Sequence, residues 1–393
     1  MRGISRRVTE IPSEASFFVL KMARDLEVQG RDVVHMEIGE PGFDTPKKIK
    51  DAAVEALRNG DTHYTPSQGA SNLREAIAER VRDEYGVEVN FDRRVAVTVG
   101  AKQAIHAIIT AVVEPGDEVI CPNPGYPAYD GSTLLAGGRP VYLRLEEEEG
   151  FRAKPEALAK LINERTKLVV LNFPENPCGS TLVEEDLKGI LELAEDHDLY
   201  ILSDEIYKYI VYDGARHVSP FRHLPDRTFL VDGFSKAYAM TGWRLGYVVA
   251  PEEAFEPVVK VINVTTSCPS SFSQSGALAA FSCYEEVREM VREYELRRNF
   301  LYDRLSRLDH VKPFKPEGTF YMFVNVKEIL DRVGMNSEEL TKHLLQKYGL
   351  AVLHGSSFGE YGEGYLRMSF ARPLDEISKG VERFANFVEN PPS

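Results

Sequence analysis

The sequence predicts an α/β protein in which a mostly parallel, mixed sheet is sandwiched by helices, with a smaller α+β domain beside it. Short apolar runs alternate with helix-like stretches through the middle of the chain, and the runs show no polar alternation. Strands that are covered on both faces have this composition. The length of 393 residues exceeds one ordinary core and therefore predicts two domains.

The elements of both predicted domains follow in chain order. Helices are predicted at residues 101–113 and 184–197, and a change of pattern near residue 285 introduces a long charged helix at 285–308. An apolar strand at 318–324, a hairpin-like stretch at 365–369 and a last helix complete the chain. We expect a large domain at residues 46–285 and a small domain made of residues 1–45 and 286–393. The strands of the large domain are predicted at residues 95–99, 118–121, 140–143, 167–171, 200–203, 228–231 and 246–249.

Composition excludes several classes of function. The net charge is −14, from 47 basic and 61 acidic residues, which argues against nucleic acid or an anionic membrane as the main partner. No apolar run reaches the roughly 18 residues that a spanning helix needs. The 4 cysteines are scattered without a C-x-x-C pair, so we expect neither a metal site nor a disulfide framework. A cytoplasmic location fits this pattern best.

Lys236 is the most informative residue of the chain. It follows the predicted strand at 228–231, and Ser235 precedes it while Arg244 follows 8 positions later. A lysine amine forms an imine with an aldehyde, and a serine hydroxyl and a guanidinium bind phosphate oxygens. These residues predict a site for a phosphorylated aldehyde cofactor. The alternative is a surface lysine in a glycine-rich loop, although a lysine at a buried strand end is costly unless it is paired or neutralised.

Two further strand ends carry residues that suit the same cofactor, because ligands collect beyond the carboxyl ends of strands in an open α/β sheet. Gly100, Ala101 and Lys102 open a helix whose free N–H groups suit a phosphate, although a plain strand-to-helix turn is the alternative. Asp204 ends a buried strand and requires a cationic partner, which a protonated pyridine nitrogen would provide. A helix N-cap or a salt bridge is the alternative for Asp204.

The remaining candidates are aromatic, amide and arginine side chains. Tyr207 and Asn176 are placed to reach a ring oxygen, and Tyr126 could lie flat on an aromatic ring unless it is a core tyrosine. Arg367 is a lone charge in an apolar strand, where its planar fork suits a carboxylate unless it forms an ordinary ion pair. Gly39 would let the main chain approach that carboxylate closely.

These residues occur in motifs that resemble the class I aminotransferases of pyridoxal-phosphate fold type I, and most closely the bacterial-type aspartate aminotransferases. The resemblance covers about residues 38–372, and 6 motifs in the same order make it specific. The motifs are Gly39-Glu40-Pro41-Gly42-Phe43-Asp44-Thr45-Pro46, His63-Tyr64-Thr65-Pro66, Asn176-Pro177-Cys178-Gly179, Asp204-Glu205-Ile206-Tyr207, Ser235-Lys236 with Arg244, and Arg367.

The resemblance implies an enzyme that uses pyridoxal 5′-phosphate to move an amino group from an L-amino acid to a 2-oxo acid by a ping-pong route. It implies Lys236, Asp204 and Tyr207 as catalytic residues, and a homodimer with shared active sites in which Tyr64 reaches the phosphate of the neighbouring subunit. The implied cofactor-binding residues are Gly100, Ala101, Lys102, Tyr126, Asn176, Asp204, Tyr207, Ser235, Lys236, Arg244 and Tyr64. The implied substrate-binding residues are Gly39, Asn176, Arg367, Lys102 and Ser16.

The favoured donor is aspartate, with 2-oxoglutarate or oxaloacetate as acceptor. This preference depends on Lys102, since some bacterial-type aspartate aminotransferases carry a lysine at the matching place, where it would neutralise a distal carboxylate. Aromatic or broad specificity is the alternative. Cys178 and His354 depart from the usual family pattern, and we expect them to alter the substrate pocket.

Other functions remain open on the same fold. A β-carbon–sulfur lyase or an aminocyclopropane-forming synthase would share the core of the site, because the cofactor carries the difficult chemistry. A non-catalytic ligand sensor would resemble regulators that carry a DNA-binding module fused ahead of this fold. Too few residues precede Gly39 for such a module. A generic phosphate-binding protein would not explain why Asp204, Lys236 and Arg367 occur together.

Overall fold

The computed structural model describes residues 5–11 and 15–391 of the chain. Its strands, in chain order, are β1 (Val34–His35), β2 (Val95–Thr98), β3 (Glu118–Asn123), β4 (Arg139–Arg144), β5 (Thr166–Asn172), β6 (Tyr200–Asp204), β7 (Thr228–Gly233), β8 (Gly246–Val249), β9 (Lys312–Pro313), β10 (Tyr321–Asn325), β11 (Leu350–Ala351), β12 (Leu353–His354) and β13 (Tyr365–Ser369).

The helices surround these strands. In chain order they are α1 (Arg6–Thr9), α2 (Ala15–Val28), α3 (Lys47–Arg58), α4 (Ser71–Tyr85), α5 (Phe91–Arg94), α6 (Gly100–Val112), α7 (Ala128–Ala136), α8 (Pro155–Ala159), α9 (Glu184–Asp196), α10 (Glu252–Thr266), α11 (Ser271–Ala280), α12 (Tyr284–Leu305), α13 (Lys327–Val333), α14 (Ser337–His343) and α15 (Leu374–Glu389). None of the helices in the described ranges combines the length and the apolar character that a membrane crossing requires.

A seven-stranded sheet forms the centre of the protein, in the order β2-β8-β7-β6-β5-β3-β4. Strands β3 to β7 pair in parallel, and β8 is antiparallel to both of its neighbours, β2 and β7. Each predicted strand of the large domain is present, with its ends within two residues of the expected ones. The predicted fold class, a mostly parallel mixed sheet between helices, is confirmed.

Helices cover both faces of this sheet, which explains the apolar composition of its strands. Along β5, Leu168 and Val170 pack in the cluster that includes α6 and α10, while Val169 and Leu171 pack in the cluster that includes α9. Successive strand residues point to opposite faces, so a strand buried on both faces needs apolar residues at consecutive positions.

The carboxyl ends of the parallel strands lie at one edge of the sheet, where ligands of such folds bind. Asn172 at the end of β5 is paired with Asp204 at the end of β6. Because β8 is reversed, its first residue Gly246 is paired with both Thr98 at the end of β2 and Gly233 at the end of β7. Four strand ends and one strand start therefore meet at this edge.

The N-terminal and C-terminal parts of the chain pair with each other. Val34 of β1 lies beside Leu350 of β11 in a two-stranded parallel sheet, and a four-stranded antiparallel sheet has the order β12-β13-β10-β9. The stretch predicted at 365–369 is strand β13, as expected, but the strand predicted at 318–324 begins later, at Tyr321. The reason is a turn, since Thr319 has a φ of 62° in the left-handed region. The domain boundaries stay a prediction.

A cluster of buried charges, which we call the Glu205 network, lies under the central sheet. Both oxygens of the fully buried Glu205 carboxylate are bonded, Oε2 by the Tyr85 hydroxyl (2.7 Å) and His217 Nε2 (2.5 Å), and Oε1 by hydroxyls of Ser203 and Ser219. Burial raises the pKa of Glu205, but His217 and Lys208 outweigh it, so the net pKa is below its usual value.

Lys208 supplies the cation of the Glu205 network. Its Nζ lies 2.8 Å from an oxygen of Glu84 and 2.8 Å from Oδ2 of Asp232, and it donates to the Tyr85 hydroxyl at 3.0 Å. Asp232 also accepts a 2.7 Å hydrogen bond from Tyr247. The charges of this network are thus paired within the protein itself.

Candidate active site

A cavity of about 420 Å³ opens at the carboxyl edge of the central sheet. Most of the predicted site residues line it, although they come from positions scattered over the chain. The predicted residues in its wall are Ser16, Gly39, Ala101, Lys102, Tyr126, Asn176, Asp204, Tyr207, Ser235, Lys236, Arg244 and Arg367. In the described part of the chain, no group of three or more His, Cys, Asp or Glu side chains could hold a metal ion.

Two predicted residues are not in the cavity wall. Gly100 lies directly behind it, because a Cβ atom at this position would come within 2.5 Å of Nη2 of Arg244. Tyr64 is 91% exposed and stands apart from the cavity of its own chain. The predicted role of Tyr64 concerns a neighbouring subunit and stays a prediction.

Lys236 extends from the loop after β7 across to Gly39, in the N-terminal segment that lines the cavity. Its Nζ donates a 2.7 Å hydrogen bond to the main-chain oxygen of Gly39. The same atom lies 5.7 Å from the ring centre of Tyr207 and 5.8 Å from that of Phe320. The amine therefore has one carbonyl contact and two aromatic rings around it, and it faces the space where a ligand would react.

Asp204 is a buried acid without a basic partner. Tyr129 donates its hydroxyl hydrogen to Oδ2 at 2.8 Å, and the main-chain N–H of Ile206 approaches Oδ1 at 3.3 Å. Burial raises the pKa of Asp204 to about 6, and these two donors offset only part of that rise. Among the residues that the structure describes, no Lys, Arg or His forms an ion pair with this carboxylate. A cation arriving from a ligand would complete the site.

The start of α6 and the Arg244 guanidinium form an anion-binding corner. Gly100 has a φ of 74°, which favours glycine, and its missing side chain leaves room for Arg244. Ala101 and the buried Ser235 line the same corner, and the first N–H groups of α6 have no partner within the helix. Such donors, together with the helix dipole, suit a phosphate group.

Arg367 stands in β13 with its guanidinium buried and held by neutral acceptors. Nη1 donates to Oδ1 of Asn176 at 2.8 Å and Nη2 donates to the main-chain oxygen of Glu37 at 2.7 Å. The guanidinium lies 4.0 Å from the ring centre of Tyr321, and its Nε has no hydrogen-bond partner in the described residues. Nor does any carboxylate of those residues form an ion pair with it. The predicted alternative of an ordinary ion pair is therefore wrong within the described chain.

Lys102 and Ser16 lie at the outer part of the cavity. The Lys102 side chain is exposed, and its Nζ lies 5.5 Å from the ring centre of Tyr126. Tyr126 packs edge-on against Tyr129, with ring centres 5.8 Å apart. Lys102 thus contributes a second cation to the wall of the cavity that Arg367 also lines.

Comparison with known proteins identifies the family. The family model described as aminotransferase class I and II matches residues 31–384. The chain belongs to this family. It is 39% identical over 364 residues to an aspartate aminotransferase of Pyrococcus abyssi, covering 91% of this chain and 92% of that one. It is 38% identical over 362 residues to aromatic-amino-acid aminotransferase 2 of Thermococcus litoralis, covering 91% and 92%.

A solved structure gives the same result for the fold of this aminotransferase. The aspartate aminotransferase of Thermus thermophilus with maleate superimposes with a TM-score of 0.92 at 39% identity, over 98% of this chain and all of that one (100%). Enzymes of the class I family depend on pyridoxal phosphate. The donor set of this cavity fits that group, since an amine, an uncompensated buried carboxylate and a phosphate corner face one space.

The aminotransferase cavity also contains residues that the sequence did not indicate. Tyr129 bonds Asp204, and Tyr321 bonds Tyr207 through their hydroxyls at 2.9 Å while its ring lies over Arg367. Tyr321 also explains Gly39, because a Cβ there would lie 1.8 Å from the Tyr321 hydroxyl oxygen. For Tyr321, the signal in the sequence was a phenol in an otherwise apolar strand, since its hydroxyl requires a partner when it is buried.

Two expected pocket residues lie elsewhere in the aminotransferase. Cys178 is fully buried in the apolar cluster with Ile120 and Leu171 and does not line the cavity. His354 lines a separate cleft and contacts the Ser356 hydroxyl at 2.8 Å. The expectation that they alter the substrate pocket is therefore not supported by their positions.

Proposed function

We propose that this aminotransferase binds pyridoxal 5′-phosphate in the cavity and moves an amino group from L-aspartate to a 2-oxo acid, 2-oxoglutarate or oxaloacetate, by a ping-pong route. One observation carries the proposal. The Lys236 amine, the buried Asp204 carboxylate and the buried Arg367 guanidinium all face a single cavity, and each lacks an internal partner of opposite charge among the described residues.

The cofactor would be held by groups from several elements. Asp204 would bind the pyridine nitrogen, Tyr207 and Asn176 the ring oxygen, and Tyr126 the face of the ring. Ser235, Arg244, Gly100, Ala101 and Lys102 would surround the phosphate. When bound, pyridoxal phosphate supplies an electron-withdrawing ring that stabilises negative charge on the amino acid Cα.

The reaction itself needs a proton carrier and a fixed substrate. The Lys236 Nζ is the base that takes the proton from Cα, and it later returns a proton within the same cavity. Arg367 binds the α-carboxylate by its planar fork, and the Gly39 main chain faces the same group. Because Arg367 and the Gly39 main chain hold the α-carboxylate, the Cα hydrogen is oriented toward the Lys236 amine. This orientation lowers the barrier for proton transfer.

The side-chain preference is proposed from a second cation in the wall of the cavity. Lys102 lines the cavity as a cation, and Ser16 adds a hydroxyl, so a second carboxylate has partners there. Relatives that are named aspartate aminotransferase, and a solved relative with maleate, support a dicarboxylic substrate. Aromatic or broad specificity is the second candidate, because Phe17 also lines the cavity and one relative is named an aromatic-amino-acid aminotransferase.

The assembly and organisation are proposed as well. We propose a cytoplasmic homodimer in which Tyr64, 91% exposed in one chain, reaches the phosphate of the neighbouring active site. We also propose a large domain at residues 46–285 and a small domain made of residues 1–45 and 286–393. The pairing of β1 with β11 supports the second assignment.

A half-reaction screen tests the proposed donor. Holoenzyme is mixed with single amino acids, and the change in cofactor absorbance is followed in wild type, Lys102→Ala and the surface control Lys188→Ala. We expect aspartate to react fastest, and Lys102→Ala to lose about tenfold of its preference for aspartate over phenylalanine. If Lys102→Ala keeps the wild-type preference for aspartate over phenylalanine, Lys102 does not bind the substrate side chain.

The product distinguishes other chemistries on the same fold. A carbon–sulfur lyase would release pyruvate and ammonia without a 2-oxo acid acceptor, and a ligand sensor would show no turnover. An acceptor-dependent transfer of the amino group supports the proposed reaction over both.

A further inference from the structure

Glu175 is a buried acid next to the proposed substrate carboxylate site. It precedes Asn176 in the loop after β5 and is fully buried (0% exposed). Its Oε2 accepts a 2.6 Å hydrogen bond from the main-chain N–H of Cys178, and its Oε1 has no hydrogen-bond partner in the described part of the chain. Such a sparse environment does not compensate the charge of a carboxylate.

The loop of Glu175 is joined to Arg367. The neighbouring residue Asn176 accepts the hydrogen bond of Arg367 Nη1 at 2.8 Å. Burial raises the pKa of Glu175 to about 8, and the Cys178 donors and the charge of Arg367 oppose that rise. Glu175 is thus mainly protonated at neutral pH, and Arg367 keeps its positive charge uncompensated.

Two titratable neighbours of Glu175, Cys178 and Tyr129, stay neutral. Burial raises the pKa of Cys178, on the same loop, and of Tyr129, on α7, well above their usual values. Two further acids act on this set, Asp204, which accepts the hydrogen bond of the Tyr129 hydroxyl at 2.8 Å, and Glu147, through Cys178. Arg367 is the charged group that acts directly on Glu175, so ionisation of Glu175 changes the electrostatic environment of Arg367.

We propose that Glu175 is a positioning residue that makes carboxylate binding at Arg367 dependent on a proton. As a neutral acid it leaves the guanidinium available to the substrate α-carboxylate, and as an anion it competes with that carboxylate from inside the protein. The inference rests on the proposed function, in which Arg367 binds the α-carboxylate.

The direction of the pH effect follows from reciprocity. If ionised Glu175 weakens anion binding, the bound anion must raise the pKa of Glu175 by the same factor. Ligand binding above the pKa of about 8 then takes up a proton, and affinity falls as the pH rises. A coupling of about one pKa unit corresponds to about tenfold in affinity.

The test measures binding of maleate to the holoenzyme as a function of pH. Dissociation constants are compared for wild type, Glu175→Gln and the exposed-surface control Glu148→Gln between about pH 6.5 and about pH 9.5, a range that spans the ionisation. Other groups of the cavity titrate equally in all three proteins. We expect wild type and Glu148→Gln to lose about tenfold more affinity across this range than Glu175→Gln, which keeps a neutral side chain of the same shape.

Calorimetry in buffers of different ionisation enthalpy gives a second readout. Wild type should take up more protons per bound maleate near pH 8.5 than Glu175→Gln, and a purely structural role of Glu175 would not produce this difference. Parallel pH profiles and equal proton uptake would overturn the inference. If maleate binds wild type and Arg367→Lys equally well at every pH, the proposed carboxylate site itself fails, and the two failures are thereby separated.

Discussion

Asp204 and Glu205 are consecutive acids at the end of one strand, yet their surroundings are opposite. Asp204 faces the cavity with one hydroxyl donor and one longer N–H contact, and burial raises its pKa to about 6. Glu205 faces the interior with four side-chain donors, and these partners hold its pKa below the usual value. Asp204 is the last residue of β6 and Glu205 is the first residue after it, so one step along the chain separates the two environments.

The comparison of these two acids distinguishes charges that are paired within the protein from charges that are left for a ligand to pair. The Glu205 network pairs its carboxylates with Lys208 and His217, so its charges are compensated when the chain folds. Asp204 and Arg367 carry the cost of burial without an internal counter-charge among the described residues. Variants in the two regions should therefore differ, with loss of function in the cavity and loss of stability in the network.

The largest expected effect is the loss of turnover in Lys236→Ala. Removal of the base and of the covalent attachment should lower kcat by at least about 10⁴-fold and abolish the visible absorbance of the lysine-bound cofactor. The thermal midpoint of the protein without cofactor should stay within a few degrees, because the amine makes one hydrogen bond, to Gly39. Lys188→Ala serves as the surface control, and substantial turnover in Lys236→Ala would refute its assignment.

The second effect concerns stability. Lys208→Met should destabilise the protein by about 3–5 kcal/mol, because Glu84 and Asp232 would lose their shared buried cation. Thermal unfolding should shift down by roughly 5–10 °C, while the folded fraction keeps its kcat. A normal midpoint together with a lost kcat would reverse the comparison between the two regions.

Substrate binding should change next in size. Arg367→Lys keeps the positive charge but loses the planar fork, so KM for amino acids should rise by about 10- to 100-fold with a smaller change in kcat. Steady-state kinetics with several donors measures this effect. An unchanged KM would mean that the α-carboxylate binds elsewhere.

The smallest effect is the pH dependence that distinguishes the two neighbouring acids. A cationic ring requires ionised Asp204, so cofactor affinity should fall by up to about tenfold between about pH 6 and about pH 5. Glu205 has a lowered pKa in the folded protein, so its stabilising contribution persists to lower pH and is lost only as the pH falls through that value.

Equilibrium release of the cofactor and circular dichroism, followed between about pH 7 and about pH 4, separate the two acids. Cofactor should leave before the fold is lost. Asp204→Asn removes the titrating group, so its weaker binding should show a flatter dependence on pH. Simultaneous release and unfolding in wild type would contradict the contrast between Asp204 and Glu205.

Much of the central sheet could be predicted from the sequence, because strands buried on both faces leave long apolar runs with polar residues where they end. The runs that end near Asn172, Asp204 and Gly233 gave both the strands and the edge that holds the site. The start of β10 was predicted too early, since Thr319 directly precedes the apolar run but its φ of 62° turns the backbone there.

The site was predictable where chemistry is local and hidden where it depends on distant contacts. Lys236, Ser235 and Asp204 stand beside strand ends, so their sequence neighbours indicate their position. Tyr129 reaches Asp204 across 75 positions, and Tyr321 reaches Tyr207 across 114 positions. Sequence alone does not provide such pairings. The burial of Glu175 is hidden for a related reason, because a charged residue in a proline-rich loop is usually exposed.

The reversed strand β8 has a consequence for protein engineering. Gly246 is paired with Thr98 and Gly233 at once, and Arg244 lies two positions before it, so the anion-binding corner is aligned by hydrogen-bond register. Deleting one residue between Arg244 and Gly246 would shift the guanidinium by about 3.3 Å relative to Gly100. The hydrogen-bond register of the antiparallel strand β8 therefore fixes the relative positions of three chain segments that are distant in sequence. Insertions for redesign should be made at the other end of β8, after Val249.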